Sequence, residues 1–196
     1  MRKLIVTNIV SLDGYYTGPD NNVMVLPMDG AFDLYNVERL RAADTLLLGR
    51  TSYLGFKSYW PPVAGDPSAS PTHRETSERT SEVDKVVVSD SLTSDETEPW
   101  PNTRMVRRAD AHDAVAELKR QPGRDILVFG SRTLWSDLLA HDLVDELHLM
   151  IGAVVLGGGT QAFDGKPPGS LELLDTRTWD DSHNVLVRYG VRHEKA

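Results

Sequence analysis

Apolar and polar positions fall into short blocks along this chain. Residues 2–10 (RKLIVTNIV) are β-branched and apolar, the pattern of a buried first strand and not of a signal peptide. SLDGYYTGPDNN follows, with Asp-Gly, Gly-Pro and paired Asn, and predicts a loop. From Met28 to Ala43 the residues Phe32, Leu34, Tyr35, Val37, Leu40 and Ala43 recur at roughly helical spacing. Thr45–Leu48 is a short apolar strand running into Gly49-Arg50-Thr51-Ser52. Residues 61–82 (PPVAGDPSASPTHRETSERTSE) are rich in Pro, Ser and Thr and predict the longest loop, either a mobile surface insertion or a rim over a site. Strands are then expected at Lys85–Ser89 and Arg104–Arg107, a helix at Ala111–Gln121, a buried strand at Ile126–Phe129 and a helix at Ser131–Ala140. Val144–Leu156 reads as one long strand ending in Gly157-Gly158-Gly159, and Leu171–Thr178 with Val185–Arg192 as a closing hairpin.

The first part alternates strand and helix, which implies parallel pairing; the last part has strands without helices, which implies antiparallel pairing. The product is a mixed α/β sheet flanked by helices. No composition break divides the 196 residues, so residues 1–196 are read as a single domain with 61–82 as an insertion. A hydrophobic fraction of 40% with 26% charged residues excludes a disordered or collagen-like chain.

Charge and cysteine content narrow the function classes. The formal net charge is -8, the reverse of the basic excess that marks a nucleic-acid binder, although a local basic pocket is compatible with it. Zero cysteines exclude disulfides, thiolate catalysis, iron–sulfur clusters and cysteine zinc sites, and fit a cytoplasmic location. No apolar run approaches the roughly 18 residues of a membrane span.

Three strand-to-helix switches carry candidate chemistry, since ligands of open α/β sheets collect at the carboxyl ends of the strands. In LLLGRTSY, Gly49 permits a sharp turn, Arg50 supplies a planar fork suited to phosphate, and Thr51 and Ser52 supply hydroxyls. In VVVSDSL, Ser89 either donates to a phosphate or ribose or ends the strand as a turn residue. In ILVFGSRTLW, Gly130 and Ser131 stand where a pyrophosphate meets a helix N-terminus, or Ser131 caps that helix.

Taken with LVDELHLMIGAVVLGGGTQAF, this pattern resembles the dihydrofolate reductase-like superfamily, and more closely the reductase domain of riboflavin biosynthesis and its stand-alone relatives. The likeness runs from SLDG at 11–14 to the closing hairpin. It implies a three-layer fold with a mixed, mostly parallel sheet of about eight strands and a C-terminal antiparallel hairpin. It also implies NADPH as cofactor, a small-molecule substrate and a homodimer. On this likeness Gly49, Arg50, Thr51 and Ser52 hold the cofactor's phosphates, and Ser89 lies near the adenosine end. Gly130, Ser131 and Arg132 lie under the pyrophosphate, and Gly157 and Gly158 near cofactor or substrate. Arg50 favours NADPH over NADH because an extra phosphate rewards a guanidinium. Gly130-Ser131-Arg132 replaces the glycine run of dihydrofolate reductases proper and agrees with the riboflavin-type relatives. Ala153 stands where those relatives commonly have Pro, and the absence of cysteine leaves no zinc deaminase half.

Candidate acids on the substrate side are few. Asp13 sits in the SLDG loop, where it serves the reaction or forms the Asp-Gly turn. Asp29, in LPMDGAF, and Asp33 both start the first helix; the sequence leaves open which one faces a substrate and whether either does more than complement the helix N-terminus. Tyr15, Tyr16, Phe32, Tyr35, Tyr53 and Trp60 either pack in the core, the commoner use of aromatics at helical spacing, or line a flat ring pocket, and Trp135 is expected in the core. The six His show no metal-ligand spacing, so no metal is expected. Arg104, Arg107 and Arg108 are read mainly as a solvated strand edge. A reductase is the leading expectation. A non-catalytic nucleotide-binding module of the same fold and a flavin- or deazaflavin-linked reductase are the alternatives.

Overall fold

A computed structural model of the chain describes residues 1–98, 100, 102–163, 165 and 169–192. In chain order the elements are β1 (Leu4–Ser11), β2 (Tyr15–Thr17), α1 (Gly30–Ala42), β3 (Ala43–Gly49), α2 (Arg50–Val63), α3 (Pro71–Glu82), β4 (Asp84–Val88), β5 (Thr103–Val106), α4 (Ala111–Arg120), β6 (Asp125–Phe129), α5 (Arg132–Ala140), β7 (Glu146–Gly152), β8 (Thr160–Gln161), β9 (Ser170–Arg177) and β10 (Val185–Arg192). Eight strands form one sheet in the order β5-β4-β3-β6-β1-β7-β10-β9. The pairings from β5 through β7 are parallel, and β7-β10-β9 are antiparallel. This is the mixed sheet with an antiparallel C-terminal hairpin that the alternation implied.

Helices cover both faces, which is why β1 is buried at every position instead of alternating. On one side Leu4, Val6, Ile126 and Val128 pack under α4 and α5, against Val115, Trp135 and Leu138. On the other, Ile5, Leu46, Leu48, Leu127 and Phe129 pack with Tyr53 and Trp100, and further along Ile9, Tyr35, Met150 and Leu186 form a third cluster. Each fully buried Leu or Ile of this kind contributes about 1.5–3 kcal/mol of burial.

Two expectations are corrected. Residues 61–82 are not a loop insertion: α2 continues to Val63, and α3 occupies most of the remainder. Ser70 caps α3 by accepting the His73 N–H at 3.1 Å, and Pro71 occupies the first turn, where its missing N–H costs nothing. The helix evades hydropathy patterning because its buried residues are polar: Thr76, Ser77 and Thr80. Thr76 and Thr80 satisfy their hydroxyls on carbonyls one turn back, and Ser77 donates to the Trp60 carbonyl of α2 at 2.5 Å. Ser77→Ala strands that carbonyl and is expected to cost roughly 1 kcal/mol, read as a lower urea midpoint at unchanged slope.

The long strand expected over Val144–Leu156 is also shorter, ending at Gly152. A Cβ there would lie 2.8 Å from Pro27 Cδ, and beyond it the chain leaves the ladder. The Val154 carbonyl instead accepts the Leu12 N–H at 2.8 Å. This detour positions a second, two-stranded sheet of β2 and β8, too short to register as a periodic pattern.

Candidate cofactor and substrate site

The carboxyl ends of β1, β3 and β6 lie side by side because β6 is inserted between β1 and β3. After β6 the chain turns through two successive left-handed residues, Gly130 (φ 59°) and Ser131 (φ 54°). A Cβ at Gly130 would sit 3.2 Å from both the Ser52 and Tyr16 hydroxyls, so space and dihedral both call for glycine. The turn is laced to its neighbours. Ser131 Oγ accepts the Gly49 N–H at 2.9 Å, Ser52 Oγ accepts the Ser131 N–H at 2.9 Å, and Asn8 Oδ1 accepts the Gly130 N–H at 3.0 Å. Ser131 therefore spans two switches instead of capping α5.

Several donors remain in this lattice. A hydroxyl that accepts one N–H still carries its own O–H. Both α2 and α5 begin here with no side-chain bond from the cap residue; the Ser131 carbonyl takes the Leu134 N–H of α5 at 2.9 Å, and the positive poles of the two helices still favour an anion. Asn8 Nδ2 is buried with no hydrogen-bond partner, as is Arg50 Nε. Unsatisfied buried donors beside two helix N-termini fit the phosphates of a dinucleotide. Asn8 joins the candidate site only in the structure; its signal in the sequence is a polar amide inside a strand buried along its whole length.

The other expected cofactor residues are placed as follows. Arg50 opens α2 and pairs with Glu96, which Thr93 N–H also holds at 2.9 Å. Thr51 is exposed on the first turn of α2. Ser89 is buried, and its hydroxyl accepts the Ser91 and Leu92 N–H groups at 3.1 and 3.0 Å, the turn-forming use. The Arg132 guanidinium donates to the Gln161 carbonyl of β8, and the Arg132 backbone N–H bonds the Tyr16 hydroxyl. Burial raises the Tyr16 phenol above its ordinary range, so it stays protonated. Gly157 takes φ 65°, and at Gly158 a Cβ would meet open space.

The three acids differ sharply. Asp13 is exposed, and its carboxylate accepts the Ser11 hydroxyl at 2.6 Å and the Leu156 and Gly157 N–H groups at 3.1 and 2.8 Å. These bonds hold it down at about 2, so it is an anion that pins the 156–159 turn. Asp29 caps α1, accepting Ala31 and Phe32 N–H at 3.1 Å, and takes the Ser182 hydroxyl at 2.5 Å. Asp33, one turn on, is half-buried and lies 2.8 Å from His73 Nε2 of α3. Burial raises its carboxyl, with His73 opposing. Trp60 packs edge-on against His73 at 5.9 Å.

The opposite pole of the sheet is also polar. A cleft of about 300 Å³ at the amino ends is lined by Arg2, Lys3, Arg39, Asp125, Glu146 and Arg188. Behind it Tyr35, His148 and Glu146 form a buried chain, with Tyr35 Oη 2.7 Å from His148 Nδ1 and His148 Nε2 2.7 Å from Glu146 Oε2. Burial raises Tyr35 to about 12 and lowers the imidazole. Tyr35 O–H therefore donates to Nδ1 and Nε2–H to the carboxylate, the arrangement that satisfies a neutral ring. This cleft lies at the opposite end of the parallel strands from the glycine turns, so it is separate from the switch-point chemistry. Among the described residues no helix is long and apolar enough to cross a membrane.

The family model described as the RibD C-terminal domain matches residues 2–187, and the chain belongs to that family. It is 32% identical over 187 residues to "Uncharacterized protein YyaP" of Bacillus subtilis (strain 168), covering 95% of this chain and 94% of that protein. The fold is similar to that of a putative riboflavin biosynthesis protein from Shewanella sp. PV-4, with a TM-score of 0.68, 20% identity and coverage of 98% and 100% of the two chains. It is also similar to dihydrofolate reductase from Enterococcus faecalis, solved with NADP(H) and RAB-propyl, with a TM-score of 0.58, 14% identity and 96% coverage of each chain. The fold is thus dihydrofolate reductase-like, of reductase type.

Proposed function

We propose that the chain is an NADPH-dependent reductase acting on a small heterocyclic or carbonyl compound, with residues 1–196 serving as one reductase domain. The observation that carries this reading is the lattice joining Asn8, Gly49, Ser52, Gly130 and Ser131 at two uncapped helix N-termini. Bound NADPH supplies the hydride; the protein binds, orients and handles the proton. Ser52, Ser131, Asn8 Nδ2 and the first-turn N–H groups of α2 would hold the pyrophosphate, with the positive pole of α5 behind it. Arg50 would hold the additional phosphate, exchanging Glu96 for it, with Thr51, Ser89 and Arg132 at the edges. Gly157 and Gly158 would let the 156–159 backbone approach the ligand, with Asp13 fixing that backbone. Asp13 is fully ionised at neutral pH and Asp29 is committed to its cap, so proton delivery falls to Asp33 with His73.

Titration with each nicotinamide cofactor, followed by thermal shift, tests the reading. NADPH should bind more tightly than NADH. Arg50→Ala should weaken NADPH by roughly 1.5–3 kcal/mol, the worth of a charge-assisted hydrogen bond, and leave NADH nearly unchanged. Equal binding of both cofactors, or an Arg50 variant with native NADPH affinity, would sink the cofactor claim. Substrate-dependent loss of the reduced-nicotinamide absorbance separates an enzyme from a binding module. A homodimer in the cytoplasm completes the proposal. The edge strand β9 leaves Leu171, Leu173 and Leu174 exposed, an apolar edge that a second copy would cover. Elution at the monomer mass would refute the dimer.

A further inference from the structure

The outer surface of the α4–α5 layer holds a cluster that the reductase reading does not use. His112 is the second residue of α4; Asp137 lies on α5, and His141 follows directly after it. Asp137 and His141 are four positions apart, which puts them on one face of that helix. His112 arrives from the neighbouring helix, 25 positions earlier than Asp137, so no spacing motif joins the three. The packing beneath sets the juxtaposition: Ala111 and Val115 of α4 share a core cluster with Trp135 and Leu138 of α5, and the next residues outward meet above that seam.

The geometry is that of a ligand set. His112 Nε2 lies 2.7 Å from Asp137 Oδ2, and His141 Nδ1 lies 3.5 Å from Asp137 Oδ1. The two imidazoles stack with centroids 3.9 Å apart at 29°. One donor atom from each residue lies within 4.8 Å of the other two. Ligands bonded to a tetrahedral ion at about 2.0–2.2 Å stand roughly 3.4 Å apart, so small rotations of exposed side chains close the set. His141 Nδ1 also lies 2.8 Å from the Asp137 backbone carbonyl, so taking up an ion exchanges this hydrogen bond and that of His112 for metal bonds, with each ring's proton passing to its other nitrogen.

We propose that His112, Asp137 and His141 form a binding site for a divalent first-row transition ion such as Zn²⁺, with water completing the coordination. Two imidazoles and one carboxylate, without thiolate, suit Zn²⁺, Ni²⁺ or Cu²⁺ and discriminate against Mg²⁺ and Ca²⁺, which take oxygen ligands. The ion would strap α4 to α5 at the end of α5 remote from the Gly130–Ser131 turn. It therefore acts on stability and is not routed through the proposed reduction.

Calorimetric titration of the untagged full chain with ZnCl₂ tests this directly. The expected result is saturable binding of a single equivalent, weakened at least about tenfold by His112→Ala, by His141→Ala and by the isosteric Asp137→Asn. Added Zn²⁺ should raise the melting temperature of the native chain but not that of the His112→Ala/His141→Ala double variant. His183→Ala, at an exposed histidine elsewhere, should leave the titration unchanged. Equal binding to Mg²⁺, Zn²⁺ binding only at millimolar concentration, or an unchanged isotherm in the double variant would each overturn the assignment. The cluster side chains are 40–51% exposed and His183 is exposed, and matching circular dichroism spectra identify a folded variant.

Discussion

Gly159→Ala should be among the most damaging single-methyl additions available to this protein. Gly159 takes φ 125°, a conformation closed to residues with a Cβ, and its added methyl would overlap the Thr17 carbonyl oxygen. The Gly18 carbonyl carbon is also only 2.8 Å from that position. Both obstacles are backbone, so no side chain can swing aside. Gly159 directly precedes β8, which pairs with β2, and β2 carries Tyr16 to the Gly130 turn. Either the fold loses roughly 2–4 kcal/mol, or the 156–161 segment shifts and carries the proposed ligand-facing turn with it. Denaturant unfolding combined with NADPH titration separates the two outcomes. Gly158→Ala, where a methyl meets open space, is the matched control and should unfold like the native chain. Native stability and native NADPH affinity in Gly159→Ala would contradict the close backbone approach.

The second large effect is acid sensitivity seated in the Tyr35–His148–Glu146 chain. Burial holds the His148 imidazole below its usual 6.5, against the pull of Glu146. The unfolded chain therefore takes up this proton first as pH falls, and stability declines from about pH 6.5 downward. Glu146 adds a second stage. Its bond from His148, together with Lys3 at 2.6 Å, holds it at about 2 against a usual 4.5. Stability from this group is complete above 4.5 and disappears as pH falls toward 2, with a ceiling of about 3 kcal/mol. Urea midpoints measured across this range should fall in both stages. Glu146→Gln should flatten the lower stage while lowering stability at neutral pH. A variant with the native pH profile would show that Glu146 carries none of it. Tyr35→Phe should lose about 1–3 kcal/mol by leaving His148 Nδ1 without a donor.

Much of the architecture was legible because the inner strands are buried on both faces and therefore read as apolar runs. RKLIVTNIV, LLLG, VVV and ILVF became β1, β3, β4 and β6 with only end residues shifted. What stayed hidden was polar burial. α3 seats Thr76, Ser77 and Thr80 against its neighbours, so hydropathy marked it as a loop although its Ser-Pro start is a helix signal. In β7, Glu146 and His148 alternate with Leu147 and Leu149, and the apolar half of ELHLM masked the buried pair facing Tyr35. At the candidate site, the glycines and serines of the switch turns were readable from local chemistry. Their mutual bonds were not, because Ser131 to Gly49 and Gly130 to Asn8 join residues remote in sequence. The His112–Asp137–His141 grouping escaped for the same reason.

The place of β1 in the sheet has a consequence for how the chain is made. The strand is made well before its two ladder partners, β6 and β7, which are reached only at Ile126 and Glu146. Until then an apolar, β-prone ribbon lacks its native ladder partners. Closing it into the middle of the sheet carries the loop-closure cost that makes high-contact-order topologies slow to fold. Nascent chains truncated before β7 should therefore be sticky, protease-sensitive species that depend on chaperones, and the last native event should be the capture of β1 between its late-made neighbours.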